Sequence, residues 1–342
     1  MALAPMTRQS TVLVTGGAGY IGAHAVLALR TARRRVVVLD NLSTGFQHAV
    51  PSDVPLIVGD IGDELLVAQV IAAHRVSAIM HFAGSVVVPD SVRDPLGYYR
   101  NNTIKSHRLI EIGLRNGVEQ FIFSSTAAVY GVPHEIPVTE EADPRPINPY
   151  GASKLMTEWI LRDTAAASAL RYVALKYFNV AGADPAGRAG QSTRHATHLI
   201  KVACEAALGR RPEIQIFGTD YPTADGTGVR DYIHVSDLAR AHALALQHLA
   251  AGGESLTLNC GYGHGHSVRE VLEAVQRAAR RRFAVREGPR RPGDPPALIA
   301  SNAQLRARLG WQPVHDDLDA MVSSALDWEM KLGEDARAAT SA

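Results

Sequence analysis

The chain has few cysteines, no long apolar run and almost no excess of charge of one sign. Its two cysteines, Cys204 and Cys260, stand far apart, which excludes a disulfide-stabilised scaffold and predicts reduced, buried thiols in a cytoplasmic protein. Its 14 histidines show no HExxH or paired spacing typical of a metal site. No run approaches a membrane span, and Met1–Ser10 lacks the apolar core of a signal peptide. A formal net charge of +1 indicates neither a nucleic-acid nor a membrane partner.

The composition is otherwise that of an ordinary soluble globular protein, with 46% hydrophobic and 20% charged residues. Continuous apolar runs recur through the first half of the chain, and patterns with helical periodicity lie between them. Continuous apolar strands are typical of a parallel sheet buried on both faces, and strand–helix alternation predicts right-handed βαβ units. The predicted strands are Thr11–Val14, Arg35–Asp40, Leu56–Asp60, Ala78–Phe82, Phe121–Ser124 and Tyr172–Tyr177.

These units predict an α/β fold built on a doubly wound parallel sheet, with a smaller C-terminal α/β lobe. Helices are predicted at Ile21–Arg30, Glu64–His74 and Asn101–Arg115, and after Pro149. After Asn179 the composition shifts to loops rich in Gly, Ala and Asp, and later to a basic loop rich in Pro and Gly. We therefore predict one domain over residues 10–180 and a second lobe over residues 181–335, and leave open that segments cross between them.

A glycine-rich turn follows the first predicted strand and opens the first predicted helix. Gly16, Gly19 and Gly22 are spaced as G-x-x-G-x-x-G, a variant of the G-x-G-x-x-G turn of Rossmann dehydrogenases. Glycine lets the backbone approach a pyrophosphate, whose charge the helix N-terminus favours. Asp40 ends the next strand, where an acid binds ribose hydroxyls and repels a 2′-phosphate, so NAD is favoured over NADP. Asp60, after the third strand, is a candidate for the adenine edge. For both acids a strand-end turn is the alternative interpretation.

Tyr150 and Lys154 stand four residues apart at the start of a predicted helix, a spacing that puts both side chains on one helical face. An ammonium beside a phenol favours the phenolate, so we expect a lowered pKa of Tyr150 and proton transfer at neutral pH. Upstream, Ser124 and Thr126 end a predicted strand, where ligands bind in such sheets. Each feature alone has an ordinary structural interpretation, and their occurrence in this order favours the catalytic one.

These motifs resemble the extended short-chain dehydrogenase/reductase family and, within it, the UDP-glucose 4-epimerases. The likeness runs from about Thr11 to Leu332. Its most telling stretch runs from Ile216-Phe217-Gly218 to Asp225–His234, read as Asp-Gly-Thr-Gly-Val-Arg-Asp-Tyr-Ile-His, and Arg291-Pro-Gly-Asp294 follows. The resemblance implies a Rossmann domain for NAD and a lobe for a UDP-sugar. It also implies a homodimer that pairs helices near residues 101–115 and 153–166.

The resemblance assigns a role to individual positions. The residues implied to bind NAD are Gly16, Gly19, Tyr20, Ile21, Gly22, Asp40, Asn41, Asp60, Ile61, Phe82, Ala83, Gly84, Asn101, Ser124, Tyr150, Lys154 and Phe178. The residues implied to bind the UDP-sugar are Thr126, Asn179, His198, Leu199, Gln215, Ile216, Phe217, Arg230, Tyr232, Arg291 and Asp294. The implied catalytic residues are Tyr150, Lys154 and Thr126.

The implied reaction is reversible epimerisation at carbon 4 of a UDP-hexose. The 4-hydroxyl loses its proton to Tyr150, hydride passes to bound NAD and back, and the 4-keto sugar turns between the two transfers. An ordinary ion pair is the alternative interpretation of Arg230 and of Arg291. Two positions depart from the family pattern: Val86 replaces a lysine that contacts the cofactor in many relatives, and Lys201 replaces a usual proline.

Three other functions are weighed against this hypothesis. A nucleotide-sugar dehydratase would carry an Asp-Glu pair after the strand-end threonine, whereas Ala127 and Ala128 follow Thr126 here. A 4-epimerase of a UDP-pentose, UDP-uronate or UDP-N-acetylhexosamine stays open, although the bulk of Leu298 favours sugars without an N-acetyl group. A non-catalytic NAD-binding sensor is disfavoured because Tyr150 and Lys154 are both present.

Overall fold

The structure is a computed structural model that describes residues 11–193, 196–291 and 294–341. Met1–Ser10, on which the prediction about a signal peptide rested, lies outside these ranges. The strands are β1 (Thr11–Thr15), β2 (Arg35–Asp40), β3 (Leu56–Val58), β4 (Val76–His81), β5 (Gln120–Thr126), β6 (Arg171–Tyr177), β7 (Asn179–Ala181), β8 (Glu213–Phe217), β9 (Val229–Arg230), β10 (Tyr232–His234), β11 (Leu256–Cys260), β12 (His266–Ser267), β13 (Ala284–Gly288) and β14 (Ala297–Leu298).

The helices surround a central sheet and fill the second half of the chain. They are α1 (Tyr20–Thr31), α2 (Glu64–His74), α3 (Val88–Arg93), α4 (Pro95–Tyr98), α5 (Lys105–Arg115), α6 (Pro149–Ala167), α7 (Leu199–Ala207), α8 (Val235–Ala250), α9 (Val268–Ala279), α10 (Ala303–Leu309) and α11 (Leu318–Ser341). A π-helical turn at Tyr99–Ile104 joins α4 to α5. Within the ranges described, no helix is both long and apolar enough to cross a membrane.

The central sheet has seven strands in the order β11-β6-β5-β4-β1-β2-β3, and every neighbouring pair is parallel. The order reverses between β1 and β4, which creates a crevice at the carboxyl ends of the strands. The doubly wound parallel sheet expected from the sequence is confirmed.

Both faces of the sheet are buried, as the continuous apolar strands predict. Along β2, Val36 and Val38 pack into the core on one face, while Val37 and Leu39 pack into the core on the other. One face is covered by α1 and α8, and the opposite face by α2, α5 and α6. Neither face of these strands offers a polar surface, so ligands are confined to the strand ends.

The second half of the chain adds small sheets and one strand of the central sheet. The pairs β8/β13 and β7/β10 are parallel, and β9 lies between β12 and β14. Strand β11, although late in the sequence, pairs with β6 at the edge of the central sheet. The chain therefore crosses back after residue 180, and the domain limits at 10–180 and 181–335 stay a prediction.

Candidate active site

The glycine turn between β1 and α1 is shaped so that only glycine fits at two positions. Gly16 has a φ of +72°, and a Cβ there would lie 2.5 Å from the backbone nitrogen of Ala83. A Cβ on Gly22 would lie 2.1 Å from the Gly16 carbonyl oxygen. Gly19 caps α1 without a side-chain hydrogen bond, so the first N–H groups of the helix are free for an anion. These features fit the pyrophosphate of a dinucleotide.

Tyr20 and Ile21 form the first turn of α1, but their side chains point elsewhere. The Tyr20 hydroxyl donates to the Gly182 carbonyl oxygen at 2.6 Å, and Ile21 packs against the core. Their predicted contacts to NAD are therefore limited to backbone N–H groups.

Acidic side chains end β2 and follow β3, which are neighbours in the sheet. The carboxylate of Asp40 accepts from the backbone N–H groups of Ala18 at 2.9 Å and Leu42 at 2.8 Å, and each oxygen keeps a lone pair for a ribose hydroxyl. Asp60 pairs with Lys105 at 2.6 Å. Burial alone would raise the pKa of Asp60, but Lys105 and the Gly62 N–H lower it below its usual value.

Two further residues predicted at the adenosine end differ in exposure. Asn41 is exposed, and its side-chain oxygen accepts from the Ser43 backbone N–H at 3.1 Å. Ile61 is buried in the core with Leu39 and Val67, so only its backbone is able to face an adenine ring. The contact with NAD that the resemblance implies for Ile61 is therefore limited to its backbone.

The segment after β4 lies against the glycine turn. The backbone N–H groups of Phe82 and Ala83 both donate to the Thr15 carbonyl oxygen, at 2.9 and 3.1 Å. A Cβ on Gly84 would lie 3.7 Å from the Lys154 Nζ, so this segment also reaches the catalytic pair. Asn101 donates to the Ser85 hydroxyl at 3.0 Å, which fixes its amide beside the same segment.

The predicted catalytic side chains meet at the carboxyl end of β5. The helix that carries Tyr150 and Lys154 begins at Pro149, where proline needs no N–H partner, and Asn148 caps it through the Gly151 N–H at 2.9 Å. The Tyr150 hydroxyl lies near the side chain of Thr126, which favours the ionised form of the phenol. Lys154 donates from Nζ to the Ser124 carbonyl oxygen at 2.9 Å and lies 4.9 Å from the centre of the Phe123 ring.

Burial governs both ionisable groups of this pair. It raises the pKa of Tyr150 to about 12, although the Thr126 hydrogen bond lowers it. It lowers the pKa of Lys154 to about 8, against the raising effect of Glu158. The expectation that Lys154 lowers the pKa of Tyr150 is therefore wrong for the chain by itself. The physical reason is that burial outweighs the lowering effect of Thr126, and the Lys154 Nζ is directed at the Ser124 carbonyl oxygen.

Tyr177 is a site residue that the sequence analysis missed. It ends β6 opposite Thr126 in the strand register, and its hydroxyl is hydrogen-bonded to the Ser124 hydroxyl. Burial raises the pKa of Tyr177 well above its usual value. Its position directly before the predicted residues Phe178 and Asn179 was a signal in the sequence. Only the pairing of β5 with β6 shows that its side chain lies beside Ser124.

Phe178 and Asn179 lead from the catalytic strand ends toward the second half of the chain. Phe178 is buried with Ala127 and Ala300, and Leu298 packs against this group. Asn179 is half-buried and donates its backbone N–H to the Asp231 carbonyl oxygen at 3.0 Å. Leu298 also pairs with Arg230 in the register of β14 and β9. Leu298 thus connects the catalytic end of β5 to the predicted diphosphate residues.

Four predicted substrate residues form one group around Arg230. Arg230 lies 3.5 Å from the Asp294 carboxylate, so it does form the ion pair named as its alternative interpretation. The Arg291 guanidinium lies over the Phe217 ring at 3.8 Å, where it covers one of the two faces available to a base. Pro292 and Gly293, between Arg291 and Asp294, lie outside the described residues.

The remaining predicted substrate residues line the strands and helix around this group. Gln215 and Phe217 are half-buried on β8, whereas Ile216 points into the core. Tyr232 is also buried, near Arg230. His198 is the exposed N-cap of α7, where its Nδ1 meets the Gln191 amide at 2.6 Å, and Leu199 begins that helix. Because the Ile216 side chain points into the core, only the backbone of Ile216 is able to contact a substrate.

The arrangement combines a dinucleotide cradle, a buried phenol near the Thr126 hydroxyl, and a separate group that contains two arginines. A phenol paired with a lysine on the next turn accepts or returns a proton, and the arginines suit a diphosphate. The chain can therefore support proton and hydride transfer at a sugar carbon next to a bound dinucleotide.

Comparison with known proteins agrees with this chemistry. Residues 12–261 match the NAD dependent epimerase/dehydratase family. The chain is 60% identical to a UDP-glucose 4-epimerase of Azospirillum brasilense over 94% of this chain and 92% of that protein.

Two solved structures share the whole architecture. The UDP-glucose 4-epimerase of Brucella ovis in complex with NAD superposes with a TM-score of 0.91 at 44% identity, over 93% of this chain and 98% of that one. The enzyme of Bifidobacterium longum in complex with NAD+ and UDP gives 0.89 at 38% identity, over 94% and 98%. This chain belongs to the NAD dependent epimerase/dehydratase family.

Proposed function

We propose that this protein interconverts UDP-glucose and UDP-galactose by reversible epimerisation at carbon 4 of the sugar, through a 4-keto intermediate. The observation that carries the proposal is the meeting of Tyr150 and Thr126 at the end of β5, two strands away from β1 and the glycine turn that follows it. Relatives that match nearly the whole chain are UDP-glucose 4-epimerases.

NAD, when bound, supplies the acceptor and later the donor of the hydride. The residues that would hold it are the glycine turn and the strand ends already described. Gly16 and Gly22 make room for the pyrophosphate at the start of α1, and Asp40 is placed for the ribose. Many family members carry a lysine at the position of Val86, which is 50% exposed here. The glycine turn and Asp40 would therefore contribute a larger share of the affinity for NAD in this protein.

The proton moves at the Tyr150 hydroxyl. As phenolate, Tyr150 takes the proton of the sugar 4-hydroxyl and later returns it to the keto oxygen from the other face. Thr126 lies beside the phenol and would help to orient it, and Ser124 is placed to bind the reacting oxygen. Lys154 supplies the positive charge that favours the phenolate.

The uridine diphosphate would be held by the group around Arg230. Guanidinium forks suit diphosphate oxygens, so Arg230 and Arg291 would exchange part of their internal contacts for the ligand. The uracil would stack on the Phe217 ring, on the face opposite Arg291. Since the binding energy rests on the UDP end, the 4-keto sugar is free to turn between the two hydride transfers.

The test uses purified protein and UDP-galactose without added reductant, followed by chromatographic separation of the UDP-sugars. We expect UDP-glucose to appear, and Tyr150→Phe to lower kcat by about 10²–10⁴-fold with little change in UDP-sugar affinity. No conversion in the presence of added NAD would refute the hexose assignment. UDP-pentoses, UDP-uronates and UDP-N-acetylhexosamines would then be offered in turn.

A homodimer is part of the proposal. Trp159 and Met156 on α6 and Ile104 next to α5 are 45%, 36% and 51% exposed, an apolar surface on the helices that the resemblance assigns to pairing. A second copy would cover this surface. Sedimentation should give a dimer at micromolar concentration and a monomer for Trp159→Glu; a wild-type monomer would contradict the pairing. The two buried free thiols are in keeping with a cytoplasmic location.

A further inference from the structure

A buried carboxylate lies one helical turn after the catalytic lysine and has no part in the reaction as described so far. Glu158 follows Lys154 by four residues on α6, so both side chains lie on the same face of the helix. The Glu158 side chain is 9% exposed. Its carboxylate accepts from the Ser125 hydroxyl and lies 3.4 Å from the Lys176 ammonium.

The partners of Glu158 alternate with the catalytic residues along two strands. Ser125 stands between Ser124 and Thr126 on β5, and it pairs with Lys176, the neighbour of Tyr177, on β6. Since side chains alternate along a strand, Ser124, Thr126 and Tyr177 share one face while Ser125 and Lys176 share the other. Glu158 therefore contacts the ends of β5 and β6 on the face opposite to the one that carries the site residues.

The titratable and charged groups that face Glu158 and Lys154 lie on several neighbouring elements. Glu158 faces Lys154 from its own helix, Lys176 and Tyr172 from β6, and Tyr130 from the turn after β5. Lys154 faces Glu158 and, from β4, His81. Burial keeps His81 neutral by lowering its pKa to about 3, so Glu158 is the nearby carboxylate that opposes the burial of Lys154.

Two donors also hold the Glu158 carboxylate in its charged form. Burial raises the pKa of Glu158 above its usual value, and the Lys176 ammonium and the Ser125 hydroxyl act against this rise by stabilising the carboxylate. The Lys176 ammonium is itself placed 4.7 Å from the centre of the Tyr130 ring, which favours a cation at that position. A charged Glu158 is thus satisfied within the structure despite its burial.

We infer that Glu158 is a positioning residue of the epimerase reaction: it keeps Lys154 protonated beside Tyr150, and it fixes the ends of β5 and β6 that carry the other site residues. The inference rests on the proposed function, because its effect on rate requires that Tyr150 acts as the base. In the proposed reaction, Tyr150 and Lys154 would titrate as a coupled pair. Without the charge of Glu158, the pair shifts from phenolate with ammonium toward phenol with amine.

The experiment compares Glu158→Gln with Thr157→Val, which removes a buried hydrogen bond from the same helix without changing a charge. For Glu158→Gln we expect kcat at neutral pH to fall about tenfold, the equivalent of one unit of pKa. The KM should change less than about threefold, and the alkaline limb of the pH profile should move to lower pH. Glu158→Asp should recover part of kcat. Thr157→Val should keep the wild-type profile even where its melting temperature falls.

A second readout needs no turnover. The phenolate absorbance of each variant, minus that of the same variant carrying Tyr150→Phe, reports the titration of Tyr150 with NAD present. Glu158→Gln should move this titration to higher pH. A wild-type titration and pH profile in Glu158→Gln would overturn the inference, as would an equal loss of kcat in Thr157→Val. If wild type turns over no UDP-sugar, the proposed function fails, while the absorbance titration still decides the role of Glu158.

Discussion

Replacing Gly22 with alanine should damage both the fold of the glycine turn and the retention of NAD. The added Cβ would lie 2.1 Å from the Gly16 carbonyl oxygen and 2.8 Å from the Gly17 Cα. Both contacts are backbone atoms, and the turn is held by a hydrogen bond from the Gly16 N–H to the Leu39 carbonyl oxygen at 2.9 Å. No side chain can move aside to relieve the clash, so α1 must shift away from β1.

The size of the effect follows from the cost of overpacking a close contact, about 1–3 kcal/mol. Because α1 begins at this turn, the same shift displaces the N–H groups that face the pyrophosphate. We therefore expect the free energy of unfolding to fall by about 1–3 kcal/mol. The affinity for NAD should fall by about 5–150-fold, at 1.4 kcal/mol per tenfold change.

Gly19→Ala is the matched control on the same turn. Its Cβ would meet only the Gly16 carbonyl oxygen, at 3.3 Å, and its φ of −83° suits alanine. Thermal unfolding without NAD should leave Gly19→Ala close to wild type and lower the melting temperature of Gly22→Ala, and calorimetric titration should give the NAD affinity of each. A Gly22→Ala protein that melts and binds NAD like wild type would refute the close-contact argument.

Three further outcomes test the rest of the site. Arg230→Lys keeps the charge but loses the guanidinium fork, so the Kd for UDP should rise about 10–100-fold while kcat changes less; an unchanged Kd would remove Arg230 from the diphosphate site. Leu298→Ala should raise kcat/KM for UDP-N-acetylglucosamine relative to UDP-glucose by about tenfold, and an unchanged ratio would show that Leu298 does not limit the sugar pocket. Burial lowers the pKa of Lys154 to about 8, so its cation is lost as pH rises through that value and the rate should fall there; Lys154→Arg should lack this alkaline limb, because arginine stays charged.

The elements of the first half could be read from the sequence because their apolar patterns are local. Arg35–Asp40 and Glu64–His74 occur in the structure with the predicted bounds. Helices α3 and α4 were missed because Pro89 and Pro95 interrupt the pattern. Both prolines occupy the first turn of a helix, where proline is favoured.

Other elements depend on pairing that no local pattern reveals. Most of β13 is exposed, with charged residues at Arg286 and Glu287, so it looks like a loop until β8 provides its partner. Strand β11 joins the central sheet from the other half of the chain. The predicted site residues came from short motifs and from the family resemblance. Tyr177 is brought beside Ser124 by the register of β5 and β6, and Glu158 reaches Ser125 on the reverse side of β5.

The ionisation of Tyr150 indicates that the protein needs its cofactor before Tyr150 is able to act as a base. Burial raises its pKa to about 12, so at neutral pH about one phenol in 10⁵ would be ionised. The negative charge of Glu158 favours a positive charge on Lys154 nearby, yet burial still raises the pKa of Tyr150. The same burial that raises the pKa makes any added positive charge more effective, because the local dielectric is low. We therefore expect Tyr150 to act as a base only with NAD bound, because the nicotinamide ring would add a positive charge; proton abstraction would then depend on the presence of a hydride acceptor.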